Sequence, residues 1–275
     1  LHYPLRRQRQ MCIRDSLEQN QDFRRGGRFA NVRSGVDYFI NPQNTISLSG
    51  SLFNRIFSSW DLTQTNTYTP YPLLNDSYSR QNEGENDFSL LEVALNYRLN
   101  GNSNGGRELF ADVFYSQFSG DFANLMNQWW DEEWFEFTQL RMIEQSVTST
   151  TSNALTLQTD LVQPVGNGGR LEVGLKGVVR SSDNNYEFQV FDNDDNSWTY
   201  NPLRSNHFIY DQHTFSAYSI YSIKLGKFSY QAGLRAEYAF TQGSQLAIDS
   251  IVDRDFFNLF PTAHVRYDIN NAHSM

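Results

Sequence analysis

The chain has 275 residues, is 39% hydrophobic and 15% aromatic, and carries a net charge of −9 at pH 7 with a pI near 5.0. So acidic a chain lacks the basic face that a nucleic-acid partner requires. Its mean hydropathy of −0.58 goes with no apolar run near the roughly 20 residues of a membrane-spanning helix. That leaves room for a β-barrel, whose strands are half polar.

Residues 1–16, LHYPLRRQRQMCIRDS, have no apolar core and do not read as a secretory signal. They resemble a translated sequencing-adapter peptide, so the segment is set apart as non-native and residues 17–275 are taken as the barrel segment. The only cysteine, Cys12, lies within it. The remaining residues therefore carry no cysteine, which fits export through an oxidising periplasm without disulfides.

Nine strands follow in chain order, near 28–40, 45–62, 86–99, 108–118, 146–163, 170–188, 207–225, 228–240 and 256–269. Ile46, Leu48 and Leu52 alternate with Ser47, Ser49 and Ser51. Leu91, Val93, Leu95, Tyr97 and Leu99 alternate with Glu92, Asn96 and Arg98. The pattern is strongest at 228–240, FSYQAGLRAEYAF, where every even position from Phe228 to Phe240 is apolar. Side chains alternate across a strand, so such a segment has one greasy wall and one wet wall. A tilted strand needs about 9–11 residues to cross a bilayer, apolar towards lipid and polar towards the lumen. The outward face is expected to carry Leu95, Tyr97, Leu175, Tyr221, Ile223, Tyr230, Leu234 and Val265, on the convex side of the sheet.

The links alternate in length. Asn41–Asn44, Asn100–Gly106, Pro164–Gly169 and Gly226-Lys227 are short and rich in turn residues. Long loops are expected at 63–85, 119–145, 189–206 and 241–255. Short turns at one rim and long loops at the other are the habit of outer-membrane barrels. The fold class is therefore all-β: an antiparallel transmembrane β-barrel meander, incomplete, with about nine strands of a larger barrel, because closed bacterial barrels use even numbers.

The strings RSGVDYFINPQNTISLSG (33–50), GNGGRLEVGLKG (166–177), FIYDQHTFSAY (208–218), KFSYQAGLRAEY (227–238) and DFFNLFPTAHVRYDIN (255–270) resemble TonB-dependent outer-membrane receptors, within the outer-membrane β-barrel protein family. The resemblance covers about residues 24–270. It implies a barrel of about 22 strands in the cell outer membrane. It also implies a plug domain and TonB as partners, both absent from these residues, and import of a scarce nutrient. Neither catalysis nor a cofactor is expected. A complete small barrel acting as pore, adhesin or hydrolase, and a soluble β-rich binding protein, stand as alternatives.

Within the longest loop, Trp129, Trp130, Asp131, Glu132, Glu133 and Trp134 form a candidate ligand-contact patch, since indole faces stack on sugars and cations while carboxylates hold polar groups. Packing of the loop, or seating in the headgroup belt, is the alternative reading. Asp192–Asn196 opens like a calcium loop, but Ser197 and Leu203 replace the glycine and glutamate such a loop needs. Asp211 and His213 share a strand face as an acid–histidine pair would. His207 lies about 20 Å from His213 along the strand, too far for a shared metal. Arg235, Glu237, Arg170, Glu172 and Lys176 are expected on the lumen wall.

Overall fold

Every expected strand is present and longer than expected. The computed structural model describes residues 16–68, 74–101, 106–130, 141–270 and 273–274. Its strands are β1 (Ser16–Asn41), β2 (Asn44–Tyr68), β3 (Leu74–Leu99), β4 (Glu108–Trp130), β5 (Arg141–Val165), β6 (Gly169–Asp192), β7 (Ser197–Tyr200), β8 (Asn206–Leu225), β9 (Phe228–Gln245), β10 (Ser250–Asn270) and β11 (His273–Ser274). Pairing is antiparallel throughout, in the order β1-β2-β3-β4-β5-β6-β8-β9-β10-β11, with the short β7 folded back on β6. The nine expected strands are β1 to β6 and β8 to β10; β7 and β11 are additions of four and two residues. Among the described residues β1 and β10 do not meet, so the sheet stays open. The assignment of residues 1–16 falls almost wholly outside the described residues.

Turn chemistry sets the register at the short-link rim. Asn41 Oδ1 accepts from the backbone N–H groups of Gln43 and Asn44 at 3.0 and 2.9 Å, closing the β1–β2 turn. Gly226 takes φ +62°, which an L-residue adopts only at a cost, and the two-residue turn it makes pairs Leu225 with Phe228 as expected.

From these turns the register carries across the whole sheet. One row runs Tyr38–Ile46–Tyr97–Ala111–Thr159–Leu175–Ala217–Ala236–Leu259 over nine strands. The next runs Val36–Leu48–Leu95–Val113–Leu157–Gly177–Phe215–Tyr238–Phe257. A slip of one residue in any pair would have thrown a polar side chain into these rows.

No second layer covers this apolar face. Met126 and Phe188 are the only buried apolar side chains among the described residues, while Leu175 is 59% exposed and Val265 64%. A soluble β-rich protein of two packed sheets would bury them. No described helix is long and apolar enough to cross a membrane; strands supply the crossing elements.

Two expectations are corrected. Most of the described residues in the long loops expected at 63–85, 119–145, 189–206 and 241–255 are strand. β2 continues to Tyr68, β4 to Trp130, β6 to Asp192 and β9 to Gln245. Beyond the apolar belt both faces are polar, so hydropathy stops alternating although pairing does not. Segments such as Thr63-Gln64-Thr65-Asn66-Thr67 keep β-branched threonines, and side-chain bonds such as Gln19 Nε2 to Thr65 Oγ1 (3.2 Å) knit them together. The second correction is to the shape. A hollow of about 850 Å³ lies on the apolar face, where Ala111, Gly177, Ala217 and Ala236 are short beside Leu95, Tyr97, Phe215 and Tyr238. That face is therefore not simply convex: an open sheet keeps the saddle twist of its strands.

Candidate functional site

The apolar face has the layout of a membrane belt. Near the short-turn rim it carries Tyr38, Tyr97, Tyr221, Phe228, Tyr230 and Tyr267. Higher on the same strands it carries Tyr115, Phe215, Tyr238, Phe240 and Phe257. On β9 and β10 the apolar-face residues between these two girdles include Ala232, Leu234, Ala236, Leu259 and Ala263, all aliphatic or small. From Tyr230 to Tyr238 a strand rises roughly 27 Å, or about 20 Å of depth at a barrel strand's usual tilt. Two tyrosine hydroxyls at the belt margins turn to amides: Tyr97 donates to Asn44 Oδ1 at 2.5 Å and Tyr115 to Asn153 Oδ1 at 3.0 Å. Aromatic residues with an apolar body and a polar tip suit the two interfaces. All eight residues expected on the outward face lie on this one face.

The opposite face carries a polar lattice. Ser51 Oγ donates to Glu92 at 2.8 Å, Asn96 to Asp112 at 2.7 Å, and Gln158 to Asp160 at 2.8 Å. Arg235 pairs with Glu237 on the same strand, and Arg170 Nε lies 3.2 Å from Glu172. Lys176 sits in the row of Gln158 and Ser216. The charges expected on the lumen wall are all here. No buried polar side-chain atom lacks a partner among the described residues.

A feature that sequence reasoning missed also lies on the polar face. Phe29, Phe53, Phe88 and Phe118 lie in ring contact across β1 to β4, with centroid separations of 6.3, 5.8 and 5.8 Å, and Phe122 joins at 6.4 Å from Phe88. Gly120 sits under this ladder; a Cβ there would lie 2.9 Å from Phe88 Cβ. The signal was present, since Phe53 and Phe88 fall on the polar phase of their strands. Only cross-strand register turns scattered phenylalanines into a ladder.

The candidate ligand patch is divided by the fold. Trp129 and Trp130 are the last residues of β4 and alternate in direction. Trp129 shares the apolar-belt side, opposite Ser79 and Arg141, whereas Trp130 is on the polar face against the Tyr78 ring, 6.4 Å between centroids. Asp131, Glu132, Glu133 and Trp134 lie outside the described residues. Asp192 spends its carboxylate locally: Oδ1 accepts from the N–H groups of Asp194 and Asp195 at 2.9 and 3.2 Å, as a turn requires. The structure does not join Asp211 to His213. His213 meets the Phe240 ring edge-on at 6.1 Å, and it is His207 that binds Asp183, Nε2 to Oδ1 at 2.7 Å. No group of three or more His, Cys, Asp or Glu is placed to hold a metal among the described residues.

Comparison with known proteins adds the following. The model of a family described as outer membrane protein beta-barrel family matches residues 100–275. Curated proteins give no match. Among solved structures, the ferric citrate transporter FecA in its unliganded form aligns at 9% identity and a TM-score of 0.35, over 91% of this chain and 43% of that one. The ferric-catecholate import receptor Fiu from E. coli K12 aligns at 11% identity and a TM-score of 0.45, over 94% and 52%. The outer membrane protease OmpT from Escherichia coli aligns at 10% identity and a TM-score of 0.27, over 90% and 96%. The chain thus spans about half, or less, of the two iron receptors.

Proposed function

The chain belongs to the outer membrane protein beta-barrel family, and from that premise we propose that it supplies part of the barrel wall of a TonB-dependent receptor that binds and imports a scarce nutrient. An outer-membrane location follows from the family and from the girdled belt. The receptor role is the finer claim. One observation carries it: nine long strands in continuous antiparallel pairing leave the outer edge of β1, and that of β10 up to its short pairing with β11, without a partner among the described residues at belt depth. Each unpaired backbone group there costs several kcal/mol in lipid. Further strands beside both edges would remove that cost, giving a barrel wider than an eight- to ten-stranded pore. The strings QAGLRAEY (231–238) and FFNLFPTAHVRY (256–267), which resemble TonB-dependent receptors, support the same reading.

On this proposal the polar face looks into a wide lumen, and nutrient contact falls to the loop-side rim, at Trp130 with Asp131, Glu132, Glu133 and Trp134 of the candidate patch, while Trp129 seats in the belt. The class of nutrient (siderophore, glycan, peptide or vitamin) is left open. TonB-coupled import draws on the proton gradient of the inner membrane, which a passive pore does not. Uptake of a radiolabelled nutrient panel is measured in cells with and without the gene, before and after a protonophore. The expected result is gene-dependent uptake that the protonophore abolishes. Uptake that survives it would replace the receptor with a small passive barrel.

A further inference from the structure

A second hollow, of about 580 Å³, lies on the polar face at the short-turn rim, over β6, β8, β9 and β10. Two rows build it: Arg170–Ser222–Gln231–His264 and, one step nearer the rim, Lys224–Ser229–Arg266. Three fixed positive charges and an imidazole thus line one recess in a chain whose net charge is −9, and no carboxylate lines it.

Two carboxylates approach from its margins. Glu172 takes Arg170 Nε at 3.2 Å, and Asp268 takes Lys224 Nζ at 2.7 Å and Arg266 Nε at 3.0 Å. These bonds hold the cations in place without exhausting them. A guanidinium presents five N–H donors in a fixed fork, and both arginines are engaged through Nε. Gln231 and His264 have no hydrogen-bond partner among the described residues. Convergent unused donors, positive charge and side chains already oriented are what oxyanion recognition requires.

We propose that this recess binds a phosphate-class oxyanion, held by the terminal amino groups of Arg170 and Arg266 with Lys224, Gln231 and His264 beside them. The hollow is larger than bare phosphate needs, so it accepts a hydrated anion or a phosphate with an organic group attached. The site lies at the same rim as the Phe228–Tyr267 girdle but on the opposite face of the sheet, so a free phosphate reaches it from solution and a lipid headgroup reaches it only around the strand ends. The inference rests on the strand faces alone and stands apart from the import reading.

Titration calorimetry with inorganic phosphate, on the full chain folded in non-ionic detergent, tests it against chloride at matched ionic strength. Saturable phosphate binding is expected, weakened about tenfold by Arg266→Ala and less by Arg266→Lys, as expected for loss of one charge-assisted contact. Asp268→Asn keeps an amide oxygen to hold Lys224 and Arg266 but removes the competing negative charge, and is expected to tighten binding several-fold, a gain that misfolding cannot imitate. Phosphatidylglycerol doped into the micelles separates the sources: competition supports a headgroup occupant, and undiminished binding supports the free anion. Phosphate heats no larger than those of chloride, or an Asp268→Asn variant that binds no better than the parent, would overturn the proposal.

Discussion

The Tyr218 hydroxyl donates to Asp160 Oδ1 at 2.5 Å across an intervening strand. Asp160 is on β5 and Tyr218 on β8, and the residue between them in the row is Gly174 of β6. With no side chain at 174, the phenol ring occupies the space a Cβ would take and closes the gap. A Cβ at Gly174 would collide with the Tyr218 ring and stand 2.5 Å from Asp160 Oδ1. One glycine thus permits a hydrogen bond that ties three strands of the polar wall.

Gly174→Ala is therefore expected to destabilise the folded sheet by about 1–3 kcal/mol, the cost of forcing an extra methyl into an occupied site. Tyr218→Phe loses a bond to a carboxylate, about 1.5 kcal/mol. The two changes remove the same arrangement, so the double variant should cost less than their sum. Urea titration in lipid vesicles reads all three; strict additivity would show that the ring does not depend on the glycine.

Leu234 and Arg235 are neighbours on opposite faces. Leu234 is half-exposed on the belt, opposite Ser219 and Pro261, and Arg235 pairs with Glu237 on the polar wall. Leu234→Arg should cost about 2–4 kcal/mol near the membrane midplane, and Arg235→Leu much less. A nitroxide at 234 should be relaxed by dissolved oxygen and one at 235 by a water-soluble nickel chelate. Equal costs, or reversed accessibility, would mean that the faces are exchanged.

Asp268 lies beyond the last apolar pair, Phe228–Tyr267, and so outside the belt. A hydrogen bond from Lys224, and then one from Arg266, hold its carboxyl below the ordinary carboxylate range. The native state favours the ionised form, so its contribution to stability is complete above the unfolded carboxylate pKa. It fades as pH falls through the lowered native value. Denaturant midpoints measured from neutral to strongly acidic pH should show this loss, and Asp268→Asn should remove that part of the pH dependence.

Trp129 and Trp130 separate the two readings of the loop-side patch. With Trp130 on the polar face and Trp129 on the belt side, Trp130→Ala should weaken nutrient binding roughly three- to tenfold, the scale of one lost aromatic contact. Trp129→Ala should leave affinity unchanged while lowering insertion yield. Equal effects on affinity would place the ligand elsewhere.

Fold class was legible in the sequence because one face of each strand must meet lipid, and that requirement is written as alternation. Phe228 to Phe240 shows it residue by residue, and Gly226-Lys227 marks the turn that registers Leu225 with Phe228. The requirement ends at the belt margin, which is why Thr63–Thr67 read as loop and proved to be strand. The polar wall has no such pattern. Its ladder of Phe29, Phe53, Phe88 and Phe118, the Tyr218–Asp160 bond over Gly174, and the meeting of Arg170, Lys224 and Arg266 each join residues 24 to 96 positions apart in the chain. Local alternation determined which side each residue faces. Only the stacking of strand upon strand decided which of them touch, because cross-strand register is the sum of every turn and bulge between them.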